Sequence, residues 1–172
     1  MAIFQYKIEA IPTEFAIKFK GNISQALEDC FAWENYANPS KDYIDALRGL
    51  LPIDSSWGET EEYKSDSDWQ SQLQIFKTDE KIERILLKYS PLSDSVKILR
   101  KFVELSNDEG CSLYSVESKK VFKPNFDLII EDLKSSNSMK FSKDPEKTIL
   151  KAADKIKANK ANSADAKNRA AD

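Results

Sequence analysis

The sequence contains no histidine, four glycines and two cysteines. Without histidine the chain holds no Ser-His-Asp or Cys-His catalytic arrangement and no HExxH zinc motif. Two cysteines cannot complete a four-cysteine zinc or iron–sulfur site. The glycines, at positions 21, 49, 58 and 110, form neither GxGxxG nor a Walker loop. Most enzyme mechanisms are therefore excluded, and we expect a protein that is not an enzyme and uses no cofactor and no metal.

Long apolar runs and a recognisable leader are missing as well. The first residues show no basic stretch followed by an apolar one, and no apolar run approaches the roughly 20 residues of a membrane helix. Cys30 and Cys111 both stand in apolar contexts far apart in the chain, which favours buried free thiols over a disulfide. We therefore expect a cytoplasmic protein without a membrane partner.

The residues that are present suffice for one folded domain. Of the 172 residues, 41% are hydrophobic and 10% aromatic, enough to build a single core. Residues 157–172 contain no large apolar side chain, so they cannot offset the entropy of ordering. The sequence thus predicts one domain over residues 1–156, followed by a frayed or disordered tail over 157–172.

Hydrophobic periodicity divides this domain into hairpins and helices. Three hairpins are predicted, formed by residues 4–10 with 15–19, 69–75 with 82–89, and 111–116 with 120–122. Helices are predicted at 22–37, 39–49, 93–110, from Pro124 to Leu133, and from Asp144 onward. Residues 53–68 show no apolar period and predict a long loop. The order ββααββαββαα predicts an α+β fold, in which an antiparallel sheet built from hairpins carries its helices on one face.

Negative charge is concentrated before and within that loop. Residues 28–68 contain eleven acidic and three basic side chains, a balance of −8 in a chain of net charge −3. Carboxylates steer a basic partner and aromatic rings anchor it, so this segment predicts a protein-binding surface. The predicted partner-binding residues are Trp57, Glu59, Glu61, Glu62, Tyr63, Asp66 and Asp68. A solvated loop whose aromatic side chains fold back onto the core remains an alternative.

Two metal-dependent interpretations compete with this one. Asp66 and Asp68 resemble the start of a calcium loop, but the glycine and glutamate that such a loop needs further on are missing. Asp108, Glu117 and Lys119 match the Asp…Glu-x-Lys pattern of Mg²⁺-dependent nucleases. Glu-x-Lys arises readily by chance in a chain with 32% charged residues, and a polar hairpin turn is the favoured interpretation.

Residues 70–150 contain a pattern of core and cap residues. It runs through Leu99, Phe102-Val103, Leu105, Gly110-Cys111-Ser112-Leu113, Pro124, Phe126-Asp127-Leu128, Ser135-Ser136-Asn137-Ser138-Met139-Lys140-Phe141 and Asp144-Pro145. This pattern resembles that of small cytoplasmic immunity proteins of bacterial toxin–immunity pairs. The resemblance implies packing roles for Leu113 and Phe141 and a helix start at Asp144-Pro145, and it carries over no catalytic residue.

This resemblance implies a partner and a mechanism. An immunity protein binds a cognate toxin, which competing bacteria deliver by contact-dependent or type VI systems, and blocks its active site. An acidic surface suits the basic cleft of a nuclease toxin, whereas a chain with pI near 5.2 has no basic field for nucleic acid. A Mg²⁺-dependent nuclease and a non-catalytic adaptor or chaperone for a secreted effector remain as alternatives.

Overall fold

The computed structural model describes residues 5–64, 70–92, 95–145 and 147. Within them, seven strands form one antiparallel sheet in the order β2-β3-β4-β5-β1-β6-β7. The strands are β1 (Tyr6–Ile11), β2 (Ile53–Trp57), β3 (Thr60–Lys64), β4 (Gln72–Thr78), β5 (Lys81–Tyr89), β6 (Ser112–Ser115) and β7 (Lys120–Phe122). The helices are α1 (Thr13–Lys18), α2 (Ile23–Asp29), α3 (Lys41–Arg48), α4 (Val96–Asp108), α5 (Phe126–Ser135) and α6 (Asn137–Lys143). The predicted α+β class and antiparallel sheet are confirmed.

The predicted order of elements is wrong, because the chain follows βαααββββαββαα. Strands β2 to β5 form a continuous meander, in which each strand pairs with the next. Strand β1 lies between β5 and β6 and pairs with both of them. The first strand of the chain is therefore the one that joins the meander to the β6–β7 hairpin.

The first predicted hairpin is wrong because residues 15–19 belong to α1 and its C-cap rather than to a strand. Phe15 and Phe19 are four residues apart and pack against each other with their ring centroids 4.7 Å apart and their planes tilted by 47°. Ile17 points away from this pair and is 70% exposed. A segment this short satisfies both a period of two and a spacing of four. Glu14 in the first turn and Lys18 in the last turn complement the helix dipole, which favours the helix.

The predicted loop at residues 53–68 is also wrong where the structure describes it. Residues 53–64 form the β2–β3 hairpin, which turns at Gly58 and Glu59. Gly58 has a φ of +58°, a left-handed conformation that glycine adopts without a steric penalty. The sequence of β3 shows no apolar alternation because Glu61, a charged residue, occupies a buried position of the strand.

Other predicted elements are confirmed with adjusted ends. The hairpins of β4 with β5 and of β6 with β7 are present, as are α3, α4 and α5. The N-cap side chains are those of Ser40, Ser95 and Asn125. Helix α2 ends at Asp29 rather than near residue 37, and α6 was not predicted. The expected helix from Asp144 and the tail lie largely outside the described residues.

The inner face of the sheet, which carries Tyr6, Ile8 and Ala10 of β1, packs against α3, α4 and α5. Each of these three side chains has no exposed surface. Tyr6 donates a hydrogen bond to Asp132 of α5 over 2.7 Å, and Leu99 and Phe102 of α4 are fully buried. None of the described helices is long and apolar enough to cross a membrane.

The outer face, which carries Lys7, Glu9 and Ile11 of β1, is polar over the meander. Ser24 of α2 and Tyr114 of β6 share a hydrogen bond of 2.8 Å, and Tyr114 is paired in register with Glu9. Helix α2 therefore reaches the face opposite to α4. The helices are not confined to one face as the sequence predicted.

Candidate functional site

The predicted partner-binding residues that the structure describes lie on two adjacent strands and the turn between them. Trp57 is the last residue of β2, and only its backbone is described. Glu59 stands in the exposed turn, and Glu61, Glu62 and Tyr63 follow in β3. Because successive side chains of a strand point to opposite faces, the hairpin divides these acids between the two faces. Asp66 and Asp68 lie outside the described residues.

Glu61 is buried on the inner face, where its carboxylate is fully engaged. Arg48 of α3 donates two hydrogen bonds to it, over 2.9 and 2.8 Å. The ammonium group of Lys77 lies 3.0 Å away, and the hydroxyl of Tyr63 donates over 2.8 Å. The bond from Arg48, together with those from Lys77 and Tyr63, lowers the pKa of Glu61 to about 2 against the opposing effect of burial. This carboxylate holds α3 on the sheet and is not free for a partner.

Tyr63 lies in the core, whereas Glu62 lies on the outer face of the sheet. Tyr63 is 5% exposed and belongs to the core, as the alternative interpretation of the aromatic residues expected. Glu62 lies on the outer face, half-buried, and accepts a hydrogen bond of 2.8 Å from Gln74. Of the predicted acids described here, Glu59 and Glu62 therefore keep surface that a partner can reach.

The structure brings Glu59 beside a second acidic turn. The backbone N–H of Lys77 donates to the carbonyl of Glu59 over 2.8 Å, and the hydroxyl of Thr78 donates to its carboxylate over 2.9 Å. These bonds place the β2–β3 turn next to the β4–β5 turn, where Asp79 and Glu80 are exposed. We call these two adjacent turns, with the carboxylates of Glu59, Asp79 and Glu80, the acidic turn pair.

The charge of the acidic turn pair is little compensated by the lysines that flank it. The ammonium group of Lys77 is turned toward Glu61. That of Lys81 donates to the backbone carbonyl of Glu34. Among the described residues, no ion pair neutralises Glu59, Asp79 or Glu80. The sheet therefore presents a cluster of negative charge at this end.

Sequence reasoning missed Asp79 and Glu80 as part of this surface. It placed them in a hairpin turn, where both adopt positive φ angles of 48° and 64°. Their distance in sequence from Glu59 hid the proximity, which only the pairing of β3 with β4 creates. A signal was available, because two consecutive acids at the tip of a hairpin turn must be solvent-exposed.

The residues of the nuclease alternative do not form a metal site. Glu117 accepts a hydrogen bond of 2.7 Å from the backbone N–H of Asn137 and thereby caps α6. Lys119 lies in the β6–β7 turn with a φ of +57°, and Asp108 ends α4. Across the described residues no group of three or more acidic or cysteine side chains is arranged to hold a metal ion.

Buried polar groups elsewhere have structural roles. Arg84 donates to the carboxylate of Glu9 through two nitrogens, over 3.0 and 2.8 Å. Burial raises the pKa of Glu9 in spite of this ion pair. Cys30 and Cys111 are both free, as predicted, but only Cys111 is buried and Cys30 is half-buried. Burial raises the pKa of the Cys111 thiol to about 12. A thiol with such a pKa is protonated at neutral pH and is not a nucleophile.

Comparison with known proteins adds no family to this description. No protein-family model matches the chain, and a search of curated proteins finds no match.

Proposed function

We propose that the chain is a stoichiometric protein inhibitor of the immunity type, which binds a cognate bacterial toxin in the cytoplasm and occludes its active site. The observation that carries this proposal is the acidic turn pair, which offers three exposed carboxylates at one end of the sheet. The resemblance of residues 70–150 to immunity proteins supports the same conclusion.

The proposed mechanism requires no chemistry from the chain. A toxin that acts on nucleic acid has a basic cleft, because it must bind phosphates. Carboxylates that enter this cleft replace the phosphates and exclude the substrate. Long-range attraction between the two surfaces also accelerates the encounter, which matters when a toxin must be silenced before it acts. The hairpin register already holds Glu59 beside the second turn, so binding costs little conformational entropy.

The nuclease alternative receives less support from the structure, and the adaptor alternative differs in the expected effect on the partner. A nuclease needs carboxylates converging on a metal ion, and Glu117 is occupied in capping α6. An adaptor or chaperone would use the same acidic surface, but it would promote the secretion of its client and not suppress the client's toxicity.

The test is rescue of growth. Each candidate toxin encoded beside the gene for this chain is expressed in bacteria, with and without the chain, and the affinity of the purified pair is measured. A first variant combines Glu59→Gln, Asp79→Asn and Glu80→Gln. We expect it to weaken binding by about tenfold, mainly through slower association, and to reduce the salt dependence of binding.

Two further variants complete the design. Glu104→Gln, Asp108→Asn and Glu131→Gln remove the same charge from exposed positions on α4 and α5 and should leave the affinity unchanged. A variant neutralising Glu62, Asp66 and Asp68 tests the rest of the sequence-predicted surface. Equal effects of the turn and control variants would contradict the proposed surface, and absence of rescue with every candidate toxin would contradict the immunity function.

A further inference from the structure

A groove of about 910 Å³ opens on the outer face of the sheet, far in sequence from the acidic turn pair. It lies between the α1–α2 segment and the β6–β7 hairpin. Its volume falls in the range of about 300–1,000 Å³ that is typical of small-molecule sites. Neither the proposed function nor the fold accounts for a concave surface at this place.

Apolar side chains form the walls of this groove. Ala16, Ile17 and Ile23 line it on one side, and Val121 and Pro124 on the other. Ile17 is 70% exposed and Val121 is 38% exposed, so both offer apolar surface to a ligand. A ligand with an apolar body would remove these side chains from water, and their burial would favour binding.

The charge of the lining is entirely positive. Lys20, Lys119 and Lys123 are the charged residues that line the groove, in a chain whose net charge is −3. Among the described residues no carboxylate forms an ion pair with these three ammonium groups. A lining with three cations and no anion selects an anionic ligand.

Three hydroxyl groups in the lining of the groove, those of Thr13, Ser24 and Ser112, are already hydrogen-bonded within the protein. Thr13 donates to the carbonyl of Gly110 over 2.8 Å and lies 3.0 Å from the hydroxyl of Ser112. Ser24 shares its hydrogen bond with Tyr114. These hydroxyls therefore need no hydrogen bond from a ligand, and the three lysines are the charged groups that can bind its polar end, beside the amide side chains of Asn22 and Asn107.

We propose that this groove binds a small amphipathic anion, whose hydrocarbon body lies between Ile17 and Val121 and whose carboxylate or sulfate contacts Lys20, Lys119 and Lys123. The segment 148–172 of the chain is not complementary, because it carries six basic and three acidic residues. A peptide bound by strand addition would find only the three residues of β7 at this edge of the sheet.

Titration calorimetry with laurate as the probe tests this site. We expect saturable one-to-one binding of monomeric laurate below about 1 mM, and much weaker binding of the cation dodecyltrimethylammonium. Replacing Lys20, Lys119 and Lys123 by glutamine should weaken laurate binding by about tenfold. The matched control replaces Lys97, Lys101 and Lys134, which are exposed on α4 and α5, and should bind laurate like the parent.

A second variant addresses the apolar wall without disturbing the core. Ile17→Asp changes an exposed side chain and places a negative charge in the groove, so it should abolish laurate binding while the thermal unfolding temperature stays near that of the parent. The proposal is overturned if laurate does not bind, if the cation binds as tightly, or if the lysine variant matches its control.

Two other occupants would be recognised by separate measurements, and either would overturn the proposal. Binding to phosphatidylglycerol vesicles without binding to monomeric laurate would assign the surface to a membrane. A dimer in sedimentation that Ile17→Asp dissociates would assign the groove to a second copy of the chain. A chain that sediments as a monomer, binds laurate and does not bind vesicles supports the amphipathic-anion site.

Discussion

Glu61 provides the sharpest test of the separation between structural and partner-binding carboxylates. A carboxyl group whose pKa falls from its ordinary value of 4.5 to about 2 on folding stabilises the folded state by about 3 kcal/mol at neutral pH. The side chain of Arg48 is 35% exposed, so solvent screening reduces this figure to about 2 kcal/mol. We therefore expect Glu61→Gln to lower the free energy of unfolding by about 2 kcal/mol and the unfolding temperature by about 4–8 °C.

The pH dependence identifies the cause of this loss. Because folding lowers the pKa of Glu61, its contribution is complete above pH 4.5 and disappears as the pH falls toward 2. The difference in unfolding free energy between parent and Glu61→Gln should be constant from pH 7 to about 5.5 and shrink below pH 4.5. Urea denaturation at a series of pH values measures it directly.

Glu59→Gln is the matched control for this substitution. Glu59 is exposed and accepts one hydrogen bond from Thr78, so its loss should cost less than about 0.5 kcal/mol. Equal losses for the two variants, or a loss for Glu61→Gln that persists unchanged at the lowest pH, would refute the assignment of Glu61 as the anchor between α3 and the sheet.

Three further outcomes follow from the core and the turns. Tyr6→Phe should cost about 1–3 kcal/mol in urea denaturation, because it leaves the buried carboxylate of Asp132 without its donor, and a neutral result would contradict that bond. Gly58→Ala should cost about 1 kcal/mol because of its positive φ, whereas Gly49→Ala, at a φ of −78°, should be harmless or stabilising. The Cys111 thiol should resist iodoacetamide at pH 8 in the folded protein and react in urea, as peptide mass analysis would show; rapid modification of the folded chain would contradict its burial.

Elements with a strong, locally complete signal were predictable. Strand β4 alternates in polarity before a tight turn, and β5 after it places Ile85, Leu87 and Tyr89 on one face. Helix α4 carries Leu99, Phe102 and Val103 on one face between a serine cap and Gly110. In these segments the side-chain period and the turn chemistry agree, so the neighbours in sequence suffice to choose the conformation. The same holds for α5, which begins after the side-chain cap of Asn125.

Elements whose partners are distant in sequence were not predictable in this way. The pattern at Phe15, Ile17 and Phe19 fits a strand or a helix, and the packing of Phe15 against the core adds to the terminal charges in favouring the helix. Strand β3 could not be predicted from the sequence because Glu61 occupies an inward position that an apolar side chain usually takes. That position is tolerable only because Arg48 and Lys77 arrive from α3 and β4.

The sequence by itself determined the α+β class, the central hairpin and the absence of histidine-based chemistry. Composition and local periodicity contain that information. Tertiary structure decided which carboxylates are surface and which are core, because burial and charge compensation depend on residues far apart in the chain. It turned Glu61 and Tyr63 inward and brought Glu59 beside Asp79 and Glu80 across the β3–β4 pairing. It also formed a lysine-lined groove from two segments that are far apart in sequence, residues 13–24 and 107–124.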